Sequence, residues 1–172
     1  MTTTTNARLA GAAYLVYIAA GIGSMAVGAS PIRGVLIMLM PLCAIALGVS
    51  LYALTRHVSN DLALLAMACR IVEAGQSNGE IFFAVGSTIF CWLFFTGRLV
   101  PRSLAALGLA SSALLVVLLT LQSGGMFGGK TDWSSPFTWA VWLPLLVFEL
   151  TFAGWLVVKG VATTGSSAQP RS

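Results

Sequence analysis

Apolar runs of roughly 18 to 24 residues recur along this chain with short polar connections between them, and that recurrence constrains the fold more than any single motif. A helix needs about 20 such residues to cross ~30 Å of hydrocarbon. Inside lipid only helices and closed barrels satisfy every backbone polar group, and the alternating strands of about ten residues that build a barrel are missing here. Hydrophobic residues make up 58% of the 172 and charged ones only 8%, far from the balance of a soluble domain. The expected fold is all-α: a single integral membrane bundle of six transmembrane helices over residues 8–160, with disordered polar tails at 1–7 and 161–172. The spans are read at residues 9–29, 34–54, 62–76, 81–96, 101–121 and 137–158. The length of the first run and the similar runs behind it favour a retained span over a cleaved signal peptide.

Local signals punctuate the runs. Ser30-Pro31 and Ser135-Pro136 have the form of a helix cap followed by a first-turn proline, Pro101 suits the first turn of the fifth helix, and Asn60 or Asp61 caps the third. Lys159-Gly160 closes the last helix. Pro41 and Pro144 fall inside spans and predict kinks that leave the carbonyls of Ile37 and Ala140 without their usual donors. Six spans put both termini on one side. With that side in the cytoplasm, Arg8, Arg56, Arg98, Arg102, Lys159 and Arg171 are inside, Arg33 and Lys130 are outside, and Arg70 lies in the membrane. The positive-inside rule selects this orientation. It also sets Trp133, Trp139 and Trp142 toward the outer interface and Trp155 toward the inner one. The net charge of +4 is thus topological, and nucleic acid is not an expected partner.

The third span carries Arg70 and Glu73, three residues apart and so on one helix face. A charge at the centre of a membrane helix costs about 2.5–3.5 kcal/mol on insertion scales, so such residues need partners. Glu149 lies near the middle of the sixth span, at a depth similar to Arg70, and an Arg70–Glu149 ion pair between helices is expected. Trp142 shares the helical face of Glu149. One guanidinium against two carboxylates leaves a negative excess, which a proton or a cation must balance, and the reading adopted is that one glutamate holds a proton. Glu73 and Glu149 are therefore the candidate acid/base pair, and Arg70 and Trp142 the candidate binding residues. The leading reading is an integral inner-membrane protein of unknown function whose Arg/Glu cluster binds a small or lipophilic molecule or a proton; the alternatives are an intramembrane acid–base enzyme on a lipophilic substrate, a proton-coupled carrier, and a structural membrane partner in which the cluster fixes helix register. Membrane lipid and a lipophilic small molecule are the expected partners.

Other residues say less. Cys43, Cys69 and Cys91 lie in apolar runs without close pairing and read as small core residues. His57 is the single histidine and sits in a connection, so paired-histidine haem ligation is excluded and neither metal nor cofactor is expected. The glycine-rich stretch 124–129 lacks the Lys-Ser/Thr ending of a phosphate loop and reads as an outer loop.

Four stretches together resemble the bacterial domain of unknown function 4386 family: the Arg8-Leu-Ala-Gly11 opening, the third span from Leu62 through Arg70 to Glu73, the hairpin from Gly97 through Pro101-Arg102 to Leu104, and the ending from Glu149 through Trp155 to Lys159-Gly160. The likeness covers about residues 7–161. It implies a multi-helix inner-membrane protein without an established activity, and carries Arg70, Glu73 and Glu149 over by position. The chain departs from the family pattern in short connections after the first and third helices and in having no histidine in the fourth.

Overall fold

The computed structural model describes residues 2–76, 79–126 and 133–162. Six helices follow one another: α1 (Thr3–Ala26), α2 (Pro31–Thr55), α3 (Asn60–Gly75), α4 (Gly79–Thr96), α5 (Arg102–Ser123) and α6 (Pro136–Val158). No strand occurs among the described residues. All but α3 are long and apolar enough to cross a membrane, so the chain is a multi-pass helical membrane bundle. With 16 residues, α3 is about 24 Å long at 1.5 Å per residue.

Several ends match their sequence signals. Ser30 and Ser135 accept hydrogen bonds from Arg33 N and Phe137 N, with Pro31 and Pro136 leading their helices. Gly160, at φ 72°, takes the left-handed conformation past α6 and donates its N–H to Trp155 O at 3.1 Å. Others differ. The helix α1 starts at Thr3, inside the stretch expected to be a disordered tail, because the Thr2 hydroxyl accepts from Thr5 N and caps it. The cap position of α3 is Ser59, without a side-chain bond, while Asn60 Oδ1 accepts from Tyr52 OH at 3.0 Å. Pro101 precedes α5 as its cap residue. Residues 127–132, which include half of the glycine-rich stretch, and the C-terminal tail from residue 163 lie outside the described residues.

Each helix packs on its neighbours in sequence, and α6 closes the ring against α1. Short connections between packed neighbours make the arrangement up-and-down. One end of the ring is tight. A Cβ on Gly11 would stand 2.7 Å from Ala153 O, so α1 and α6 touch backbone to backbone there. Phe152 packs on Tyr14, Phe94 and Phe148 with ring centroids 5.9, 5.0 and 5.2 Å away. Ala162 N donates to Leu99 O at 2.8 Å, tying the chain after α6 to the α4–α5 turn. Small residues at such contacts are how helices pack in lipid, where hydrophobic burial between them contributes little.

Candidate functional site

Arg70 is the largest fully buried side chain of the bundle, at 1% exposure. Two glycines make this possible. A Cβ on Gly48 of α2 would lie 3.0 Å from Arg70 Cβ, and one on Gly86 of α4 would lie 3.6 Å from Arg70 Cδ, so the stem of the arginine runs between two helices stripped of side chains. The guanidinium ends 4.9 Å from the Phe83 ring centroid and 5.5 Å from that of Tyr17, within cation–π range of both.

The carboxylate partner of Arg70 is on its own helix. Nη1 lies 2.8 Å from Glu73 Oε2. That contact is an ion pair whose angles fall outside those of a hydrogen bond, so Nε, Nη1, Nη2 and Oε2 have no hydrogen-bond partner. The other oxygen of Glu73 accepts from Tyr17 OH at 2.8 Å, which joins α1 to α3. Both charged residues sit in the last two turns of α3 rather than at its middle. A carboxylate near a helix C-terminus is opposed by the macrodipole, and Tyr17 and Arg70 offset that opposition.

Glu149 does not form the expected ion pair with Arg70. It is buried in α6 at 5% exposure, and its Oε1 has no hydrogen-bond partner. Similar depth on two helices sets no lateral reach, and Arg70 is captured by its i+3 neighbour and two rings before it can extend to α6.

A cavity of about 470 Å³ opens at the end of the ring opposite the Gly11 contact, within the size range of small-molecule sites. Its wall includes Glu73, Glu149 and Trp142, three of the four residues singled out from sequence, whereas Arg70 stands behind Phe83 and Tyr17 and does not line it. Helices α1, α2, α3, α4 and α6 contribute to the wall, and α5 does not. Pro41, inside α2, also lies on it. A continuous run of rings leads out from the ion pair: Tyr17 stacks on Phe83 at 6.5 Å, Phe83 on Trp142 at 5.8 Å, Trp142 meets Trp133 at 5.2 Å, and Trp133 meets Trp139 at 5.7 Å. Sequence reasoning passed over Tyr17 and Phe83. A phenol in mid-span was the available signal for Tyr17, since a buried hydroxyl seeks a partner. Phe83 had none among so many apolar residues.

Chemically, the site offers the engaged carboxylate of Glu73, the Glu149 carboxylate with one oxygen that has no hydrogen-bond partner, and a wall of aromatic faces. Among the described residues no group of three or more His, Cys, Asp and Glu side chains is placed to hold a metal ion. No curated protein and no solved structure matches the chain. A family model, described as a domain of unknown function (DUF4386), matches residues 74–160. The matched stretch runs from the end of α3 through α6 and holds Trp142 and Glu149. It begins just after Arg70 and Glu73, which the likeness read from sequence also included. Matched over half its length, the chain belongs to the DUF4386 family.

Proposed function

We propose that this chain is a protein of the bacterial inner membrane that binds a small lipophilic molecule in the cavity walled by α1, α2, α3, α4 and α6, with Glu149 as the polar anchor. The observation that carries this reading is the buried Glu149 carboxylate in the cavity wall with an oxygen that no protein group satisfies. Intramembrane ionisable residues are costly and mark function by default. Glu73 is held by Arg70 and Tyr17 and serves the bundle; Glu149 serves the ligand. A purely structural role suits the Tyr17–Glu73 link between α1 and α3, but Glu149 takes no part in that link.

The inner-membrane placement and the cytoplasmic termini are supported by six basic residues on one side against two on the other. A phosphatase fused to the C-terminus is expected to be inactive, and activity would reverse the orientation. For the ligand, the test is native mass spectrometry of the purified full chain against a Gly21→Leu variant. Gly21 lines the cavity, and a Cβ there meets only Met40 Cε at 3.6 Å, so leucine fills the space without breaking the helix. A small molecule retained by the unaltered chain and lost from the variant is expected. A folded chain that retains nothing and binds no added lipophile overturns the reading.

A further inference from the structure

Charge and ring geometry together narrow the ligand. The carboxylates of Glu73 and Glu149 line the cavity, and among the described residues lining it none is basic. Arg70 balances Glu73 at 2.8 Å from behind the wall. Glu149, 5% exposed, has a carboxylate oxygen without a partner. A cleft lined by one sign of charge with low-dielectric walls concentrates ions of the other sign.

The aromatic wall points the same way. Tyr17, Phe83, Trp133, Trp139 and Trp142 all line the cavity and touch in series. Phe83 and Tyr17 already face one cation, Arg70, which does not itself line the cavity. Faces of Trp, Tyr and Phe attract organic cations, and desolvation strengthens the attraction. The remaining wall is largely aliphatic: Ile18, Ile22, Met25, Met40 and Leu143 among others. A small inorganic cation would need several oxygen ligands, and this wall supplies rings and alkyl groups instead.

We infer that the cavity binds a lipophilic organic cation, a quaternary or protonated amine or its phosphonium equivalent, whose charge is paired by Glu149 and faced by the Trp142 ring. The inference rests on the small-molecule reading above and names its chemical class.

The experiment uses the full chain in nanodiscs of zwitterionic lipid and two radiolabelled probes alike in shape and opposite in charge, tetraphenylphosphonium and tetraphenylborate. Binding is read as the part displaced by excess unlabelled probe, which sets aside partition into lipid. Displaceable binding of the phosphonium and not of the borate is expected. Affinity for the phosphonium should fall about tenfold or more in Glu149→Gln, a loss of 1.4 kcal/mol or more, and about tenfold in Trp142→Ala. The comparison on the unaltered chain needs no variant to fold. Equal binding of both ions, or preference for the borate, overturns the cation class while leaving a small-molecule site in place. Phosphonium binding that Glu149→Gln leaves unchanged also overturns it. No displaceable binding of either ion, with no small molecule retained by the purified chain, overturns the class and the site together.

Discussion

The two ends of α1 meet α6 in opposite ways. Near its N-terminus, Gly11 lets the backbones of α1 and α6 touch, and Tyr14 abuts Phe152. From Tyr17 onward, Ile18, Gly21, Ile22 and Met25 face a cavity, and across it stand Trp139, Trp142, Leu143 and Leu146. The same two helices are thus locked at one end and parted at the other, with the Arg70–Glu73–Tyr17 cluster at the boundary. A bundle stable enough to hold a hollow concentrates its close packing elsewhere. Here the locked end supplies the stability and the parted end the site.

The largest effect should come from the boundary. Arg70→Met strands Glu73 and should cost about 3–5 kcal/mol, while Glu149→Gln, which breaks no ion pair, should cost far less. A double-mutant cycle read by reversible unfolding in mixed micelles should show strong coupling of Arg70 with Glu73 and weak coupling with Glu149. The reverse ranking would restore the inter-helix pair. Next comes Gly11→Leu at the locked end, where the added carbons meet Ala153 O and Val157 Cγ2, both at 2.7 Å from the Cβ position. Overpacking of this kind costs about 1–3 kcal/mol, visible as a lowered melting temperature. Tyr17→Phe removes one hydrogen bond to a carboxylate and should cost about 1.5 kcal/mol or somewhat more. An unchanged melting temperature would mean that the bond does not hold α1 to α3. Smallest is Gly21→Leu at the parted end, within about 0.5 kcal/mol of the unaltered chain, although it fills the cavity. If Gly21→Leu were as damaging as Gly11→Leu, the two ends would not differ.

Much of this bundle could be read from sequence because lipid leaves few options. The six helices, the serine caps before Pro31 and Pro136 and the closure at Gly160 each follow from a local signal. The cluster was only half legible. Glu149 and Trp142 were visible as a carboxylate and a ring on one helical face, and both line the cavity. The partner of Arg70 was misjudged because a linear sequence gives depth along a helix but not which side chain arrives first. The cavity itself left no signature. It lies beyond the Gly11–Ala153 contact, where residues from five helices line a hollow, and such a hollow is a property of packing rather than of any one residue.

The shortness of α3 has a consequence for the bilayer around it. At about 24 Å it falls short of a hydrocarbon layer ~30 Å thick, and a short segment is accommodated by local thinning or by polar groups reaching toward the headgroups. Its C-terminal end carries Glu73 and Gln76 on the cavity wall, so a shortfall at that end would fall on the site. Lipids beside this edge would be compressed, and thicker bilayers would strain the bundle at the rim of its hollow. Membrane thickness then becomes a variable acting on the site, through the shortest of the six helices.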